Sequence, residues 1–327
     1  MNKWLALILK VLISGTLLYL VFRGIDAAQL QVILNQAHLT LIALAVLLYC
    51  LGQMLCAYRW KMLFSPVGLD LPYSRALSFY FLGMFFNLFF PTMVGGDAVK
   101  VYYLAREGSD VTRSTTTVLM DRNTGLCGLL LLAVVVAGVA NVHLKDIPLF
   151  PILLGILALF ALANFILFYD STYQWLTRGF ERIRLMKLVA LTQRLHAAFS
   201  AYRRSVSRLV SAVSLSLVFD IALISFAYLA AKAIGWPVAF KYFCVFIPLI
   251  ALIGMIPITL YGFGLREYSF VFFFSQVGMS QEASLLLAFL FFFIVLVSSL
   301  PGAIIYIFYR QSRTDVSLSK ASARTAD

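Results

Sequence analysis

Long apolar runs alternate with short polar breaks along this chain. An apolar run of about 20 residues is long enough to cross a bilayer as a helix. Runs near or above that length occupy residues 4–22, 39–58, 114–140, 147–169, 209–231 and 283–309. Three further apolar runs, at 76–90, 238–256 and 268–277, are short or end at a break. The pattern predicts an all-α polytopic integral membrane protein with about 6–8 transmembrane helices.

The first break lies in FFNLFFPTMVGGDAVKVYYLARE, residues 85–107. An apolar half-helix stops at Pro91, and the chain then passes through Gly95 and Gly96. Proline removes a backbone donor, and paired glycines free the chain to turn. Asp97 is a good N-cap for the helix that follows. Irregular backbone at membrane depth is tolerated where protein buries it or where it lines a water-filled cavity, so we expect a broken or re-entrant helix pair.

The second break, PITLYGFGLRE, has the same design in the other half of the chain. It stops at Pro257, passes through Gly262 and Gly264, and restarts with Arg266 and Glu267. Interrupted segments at corresponding positions of two halves point to a transporter site built from inverted repeats. We therefore expect two broken helix pairs that are related as inverted repeats.

Composition supports a membrane protein. Hydrophobic residues make up 62% of the 327 residues and charged residues only 12%, whereas soluble domains are about half apolar and a quarter charged. The net charge of +12 does not indicate nucleic acid, because the basic residues lie in loops and at helix ends. We expect one transmembrane domain over residues 1–309, which includes a basic segment at 170–208, and a polar, disordered cytoplasmic tail over 310–327.

The positive-inside rule orients the chain. The basic segment at 170–208 is placed in the cytoplasm, which puts both termini there too. If residues 76–90 crossed the membrane, Arg59, Lys61 and Arg75 would lie outside, so the rule favours a re-entrant segment. We interpret Arg59, Trp60 and Lys61 as an interfacial anchor.

Charged residues in apolar surroundings are the candidate site residues, since a charge at the bilayer centre costs about 3 kcal/mol. Asp97 and Lys100 share a helix face and can pair. Asp220 is alone in its apolar run, with Arg122 or Arg266 as a candidate partner. For each of these groups and for the pair Arg266–Glu267, a structural contact or a functional site stays open. For the pair Asp121–Arg122, the alternatives are interfacial snorkelling or a functional site.

The functional hypothesis is a polar cavity within the bilayer, closed by the two half-helix pairs. Half-helix N-termini favour anions, and Lys100, Arg122 and Arg266 add fixed cations. A phosphate headgroup fits that field, with Asp97 and Glu267 orienting the cations or contacting an amine. We expect no metal and no cofactor. Cys50, Cys56, Cys127 and Cys244 all lie in apolar runs and are expected to be buried hydrophobes.

The run NLFFPTMVGGDAVKVYYLAREG, the DR pair in VLMDRNTGL and the run PITLYGFGLREYS resemble the lysylphosphatidylglycerol synthase transmembrane-region family. That family includes the flippase part of the bacterial multiple peptide resistance factors. The resemblance implies lipid translocation in a bacterial inner membrane. The residues that match its motifs are Pro91, Gly95, Gly96, Asp97, Arg122, Pro257, Gly262, Gly264, Arg266 and Glu267. Tyr261 stands where family members often have glycine, which puts the second turn in doubt.

The resemblance also bears on chemistry. This chain lacks the soluble aminoacyl-transfer domain of the full-length synthases, so we expect that it is not an enzyme. An intramembrane transferase would have only Asp97 and Glu267 to offer as acid or base. We expect membrane lipid as partner, an anionic phospholipid or a lipid-linked headgroup, and no nucleic acid. The alternative is an accessory or scaffold subunit that docks an envelope-lipid enzyme on residues 178–208; a homo-oligomer is also left open.

Overall fold

Helices make up almost the whole chain in the computed structural model. It describes residues 3–23, 25–90, 95–144, 146–182, 184–236, 238–256, 258–259 and 262–324, and the side chains of 3–9, 27 and 309–324 are outside that description. The helices are α1 (Lys3–Phe22), α2 (Ala27–Asn35), α3 (Leu39–Met62), α4 (Tyr73–Asn87), α5 (Gly95–Arg106), α6 (Val111–Val139), α7 (Leu149–Phe168), α8 (Asp170–Arg182), α9 (Met186–Ser200), α10 (Val206–Ala233), α11 (Phe240–Gly254), α12 (Leu265–Ser275) and α13 (Gln281–Arg324). A 3-10 turn, Ser65–Val67, follows α3, and a two-residue hairpin of β1 (His143–Leu144) and β2 (Ile147–Pro148) joins α6 to α7.

Five of these helices are long and apolar enough to cross a membrane. They are α3, α6, α7, α10 and the first part of α13, and two shorter apolar helices, Lys10–Phe22 and Phe240–Gly254, add to them. Large apolar side chains remain exposed on their outer faces, for example Leu47, Leu159 and Val218. Such a surface suits lipid rather than water. The protein is therefore an all-α polytopic membrane protein, as the apolar runs predict.

Both predicted breaks separate two short helices that pack against each other. In the first pair, Phe79 in the middle of α4 stacks on Tyr103 in the second half of α5, with ring centroids 5.6 Å apart. In the second pair, Phe243 near the start of α11 meets Phe274 at the end of α12 at 4.8 Å. Each pair is thus an antiparallel hairpin. The helices also match in length, with 15 and 12 residues in the first pair and 15 and 11 in the second.

The hairpins are held between longer helices. The first packs through α4 on α3 and α13 and through α5 on α6, while the second packs through α11 on α6 and α10 and through α12 on α13 and α1. Helix α10 lies against both α3 and α6. This arrangement brings the first turns of α5 and α12 to the middle of the bundle.

Two segments outside the bundle, the basic segment and the C-terminal tail, are helical. The basic segment at 170–208 contains two helices, α8 and α9, and α9 packs on α6 and α7. The prediction of disorder from residue 310 is wrong over residues 310–324, because α13 continues without interruption to Arg324. A polar composition alone does not end a helix when no glycine or proline follows, and 303–324 contain neither.

Candidate functional site

One cavity of about 360 Å³ lies in the bundle between the two hairpins and the long helices α3, α6, α10 and α13. Its charged lining comes from five helices: Arg59, Asp97, Lys100, Asp121, Arg122, Asp220 and Arg266. The rest of the wall is mainly apolar, with side chains such as Leu129, Leu223, Ile250 and Phe291. A cavity with charged groups against an apolar wall is suited to an amphipathic molecule.

Asp97 holds two cations at the start of α5. Its Oδ1 lies 3.2 Å from Nζ of Lys100, as the helical spacing predicts, and its Oδ2 accepts a hydrogen bond from Nε of Arg122 at 2.7 Å. The Lys100 ammonium also lies 4.3 Å from the ring centroid of Tyr80, a cation–π contact. Asp97 and Lys100 are buried, whereas the Arg122 side chain is 38% exposed. Arg122 is therefore the cation of this group that is most open to an incoming anion.

A second ion pair joins α3 to α6. Nε of Arg59 donates to Oδ1 of Asp121 at 2.9 Å, and Nη1 donates to Oγ of Ser216 on α10 at 2.7 Å. Asp121 Oδ2 lies 3.8 Å from Lys100 Nζ, which connects this pair to the Asp97 group. Gly125, one turn along α6, leaves room for Arg59, since a Cβ there would lie 3.3 Å from Nη1.

The interpretation of Arg59 and Trp60 as an interfacial anchor is wrong. Arg59 is 5% exposed and Trp60 is fully buried. The indole Nε1 donates to Oγ1 of Thr117 on α6 at 3.2 Å. Helix α3 continues to Met62 and packs on α4, α6 and α10 at this level, so the two side chains point into the bundle. Asp121 is 2% exposed, so interfacial snorkelling does not apply to it.

Arg266 and Glu267 form a buried pair at the start of α12. Nε of Arg266 donates to Oε1 of Glu267 at 3.0 Å, and Nη2 donates to the same oxygen. Glu267 Oε2 accepts from the backbone N–H of Gly264 at 2.7 Å, which caps the helix. Gly264 has φ +82°, and a Cβ on it would meet the backbone oxygen of Ser14 on α1 at 2.7 Å. Glycine is thus required here for both conformation and space.

Gly96 lets the two helices of the first hairpin touch. A Cβ on Gly96 would lie 2.2 Å from the backbone oxygen of Gly83 on α4. Its N–H donates to Oδ1 of Asn87 at 2.9 Å, so the last residue of α4 caps the first turn of α5. This contact fixes the turn that carries Asp97 against the cavity.

Asp220 lies on α10 at 3% exposure. Neither predicted partner is confirmed, because among the described residues Asp220 forms no ion pair with Arg122 or Arg266. Its Oδ2 has no hydrogen-bond partner in the described part of the chain. A Cβ on Gly128 of α6 would come within 2.8 Å of that oxygen, so Gly128 provides its space.

The structure therefore brings half of the site residues that the sequence singled out into one cavity. Gly96, Asp97, Lys100, Arg122, Asp220 and Arg266 line the cavity, whereas Gly95, Gly262, Gly264 and Glu267 are not part of the lining. Pro91 and Pro257 lie outside the described residues. Sequence reasoning missed Arg59 as a lining residue, along with the polar side chains of Gln53, Tyr80 and Asn87. The sequence signal that could have identified Arg59 is a charged residue directly after the apolar run 39–58.

Comparison with known proteins agrees with this architecture. A stretch of 125 residues is 29% identical to the UPF0104 membrane protein PH1989 of Pyrococcus horikoshii. The match covers 37% of this chain and 36% of that protein, so the chain spans about a third of the length of this curated relative. The family model for the lysylphosphatidylglycerol synthase TM region matches residues 7–302, which include both hairpins and every cavity residue. The chain belongs to the lysylphosphatidylglycerol synthase TM-region family.

Proposed function

We propose that this protein is a lipid flippase or transporter that moves a phospholipid or a lipid-linked headgroup between leaflets through the charged cavity. The observation that carries the proposal is the convergence of Arg59, Lys100, Arg122 and Arg266 on one cavity with an apolar wall. Placing charges inside a membrane is costly and marks substrate pathways. Membership in the family supports a role connected with membrane lipids.

The field in the cavity favours an anionic headgroup. The first turns of α5 and α12 both contribute to the lining, through Asp97 and Arg266, and helix N-termini attract anions. Arg122 is partly exposed, and its planar guanidinium suits the bidentate recognition of a phosphate. The carboxylates orient the cations, because Asp97 holds Nε of Arg122 and Glu267 holds Nε of Arg266.

The size of the cavity sets what it holds. A volume of about 360 Å³ lies at the lower end of the range for small-molecule sites, about 300–1,000 Å³. That space takes a headgroup but not two acyl chains. The chains therefore stay in the surrounding lipid while the headgroup passes through the protein. Apolar lining residues such as Leu126 and Leu223 are suited to the glycerol end of the acyl chains.

The proposal includes a topology and a location. The first hairpin enters from the cytoplasmic side and returns to it, the second enters from the opposite side, and the membrane is a bacterial inner membrane with both termini in the cytoplasm. The antiparallel packing within each hairpin supports the part of this topology in which each one returns to the side from which it enters. In the proposed topology, α8 and α9 lie in the cytoplasm.

Reconstitution tests the function. The purified protein is placed in liposomes with trace headgroup-labelled anionic or zwitterionic lipid, and an impermeant quencher reports the label left inside. Without protein, about half of the label stays protected, because the two leaflets hold nearly equal numbers of lipids and headgroups do not cross hydrocarbon. We expect the protein to make nearly all of the anionic label accessible. Unchanged protection for every labelled lipid, with folded protein, would contradict the proposal.

An accessory role for an envelope-lipid enzyme is the second candidate. The observation that favours it is the exposed surface of α8 and α9, which carries Trp175 at 74% exposure and several arginines. Charge reversal at Arg178, Arg182 and Arg194 distinguishes the two. It should leave lipid movement in liposomes intact under the transport proposal. Under the accessory role it should abolish association with the enzyme, and the cavity variants should not.

A further inference from the structure

Asp220 differs from the other carboxylates of the cavity. Asp97 and Asp121 each contact cations, whereas Asp220 forms no ion pair with any described residue and its Oδ2 lacks a hydrogen-bond partner among them. It is nonetheless 3% exposed and belongs to the cavity lining. A lone buried carboxylate is unfavourable as an anion and becomes neutral by taking up a proton.

Of the described cations of the cavity, Arg59 is the one bonded to the helix that carries Asp220. Helix α3 contributes Arg59 and Cys56, and α6 contributes Asp121. From α11 and α13 the lining is apolar, for example Ile247 and Val295. The charged side chains that α5, α6 and α12 add to the same cavity are Asp97, Lys100, Arg122 and Arg266. Arg59 bonds Ser216, one turn before Asp220 on the same face of α10.

We propose that Asp220 is the proton-binding site that couples lipid movement to a proton gradient; this rests on the proposed function. A proton from water in the cavity binds the free Oδ2 and makes the side chain neutral, so Arg59 stays with Asp121. When the proton returns to water, the anionic Asp220 competes for Arg59. If Arg59 shifts toward α10, Asp121 loses its main partner. Asp121 then pairs with Lys100, whose Nζ lies 3.8 Å from Oδ2 of Asp121.

This exchange links the proton to the headgroup site. Lys100 is shared between Asp121 and Asp97, and Asp97 also holds Arg122. If Lys100 moves toward Asp121, Asp97 binds Arg122 more strongly and Arg122 has less positive field to offer an anion. Proton release at Asp220 therefore weakens headgroup binding, and proton uptake strengthens it. Beyond the first step from Asp220 to Arg59, the coupling passes through ion pairs that the structure contains.

Transport measurements provide the first test. In the liposome assay, the wild-type rate should change by about tenfold between about pH 8 and about pH 6, and an imposed pH gradient should drive net accumulation of label in one leaflet. Asp220→Asn has the shape of the neutral form and should lose both effects, while Asp220→Glu should keep them. The exposed Asp70→Asn serves as the matched control. An Asp220→Asn rate with the wild-type pH profile overturns the proposal, as does a dependence on sodium instead of pH.

Infrared difference spectroscopy provides a test that needs no transport. A protonated carboxylic acid has a C=O stretching band that disappears on ionisation. The wild type and Asp70→Asn should show such a band that titrates with pH, and the same band should be missing from Asp220→Asn. Identical spectra for the wild type and Asp220→Asn overturn the proton site. If the band titrates as expected but the protein moves no lipid, Asp220 still binds a proton. In that case the proposed transport function is wrong.

Discussion

Nη1 of Arg75, at the start of α4, lies 3.5 Å from Oε1 of Glu107, just after the end of α5. The chain therefore enters the first hairpin and leaves it at the same end. Although residues 91–94 are outside the described part, the two limbs meet at both Gly83–Gly96 and Arg75–Glu107. Such a return to the same end is what the proposed re-entrant topology requires of the first hairpin.

Cysteine labelling tests that topology. On a cysteine-free background, Asp70→Cys lies before the hairpin, Arg106→Cys at its end, and Asp146→Cys between α6 and α7; all three positions are exposed. We expect an impermeant maleimide to label the first two from one side of the membrane and Asp146→Cys from the other. Labelling of Asp70→Cys and Arg106→Cys from opposite sides would show that the segment crosses the membrane.

The close contact of α4 and α5 predicts a strong effect of one methyl group. In Gly96→Ala the new Cβ would lie 2.2 Å from a backbone oxygen, which cannot swing away as a side chain can. We expect a loss of about 1–3 kcal/mol in the free energy of unfolding. Gly155→Ala is the control, since nothing lies within 4 Å of its Cβ and alanine is the better helix former by about 1 kcal/mol. Thermal unfolding in detergent measures the stability of both variants. Equal unfolding midpoints would refute the close contact between Gly96 and Gly83.

The pair Arg59–Asp121 predicts coupled stability. Removing one partner with Arg59→Gln or Asp121→Asn leaves a buried charge without its nearest counterion, at a cost of about 3–5 kcal/mol. The double variant should be less destabilised than the sum of the two single variants. Arg113→Gln is the matched control, because Arg113 faces Asp110 at 3.7 Å with 57% of its side chain exposed. Arg113→Gln should lower the free energy of unfolding by less than about 1 kcal/mol. If the losses caused by the two single variants at 59 and 121 simply add in the double variant, the pairing is contradicted.

A pH effect is predicted outside the membrane, at the start of α8. Arg203 donates to Oδ1 of Asp170 at 2.8 Å, and this hydrogen bonding lowers the pKa of Asp170. A lowered pKa in the folded state means that the stabilisation is present above the unfolded value, near pH 4, and is lost as pH falls through the lower folded value. Asp170→Asn should therefore melt slightly earlier than the wild type at neutral pH. The two midpoints should converge well below pH 4, and a constant difference would contradict the contact.

Sequence patterns were sufficient to predict the helices and the ion pair between charged residues that are close along the chain. The apolar runs predicted the long helices, the Pro–Gly breaks predicted both hairpins, and spacing predicted the pair Asp97–Lys100. Ion pairs between side chains on different helices were harder to predict. Periodicity shows which face of a helix is apolar but not which helix packs against that face. Arg59 and Asp121 are 62 positions apart.

Two errors have a common cause. Arg59 beside a tryptophan and a lysine is typical of an interfacial anchor, and a polar tail after residue 309 is typical of disorder. In both cases local composition was judged without the length of the helix, which continues past Arg59 to Met62 and past residue 309 to Arg324. Knowledge of the packed neighbours was needed to place Arg59 in the cavity.

The most direct test of the cavity as the lipid pathway compares Asp97→Asn with Asp70→Asn in the quencher assay. Both changes remove one carboxylate charge, but only Asp97 holds Lys100 and Arg122 in the cavity, whereas Asp70 is exposed. We predict that the wild type and Asp70→Asn expose nearly all of the labelled anionic lipid, and that Asp97→Asn, folded and reconstituted equally, protects as much label as protein-free liposomes. Equal lipid movement by all three proteins would contradict the account.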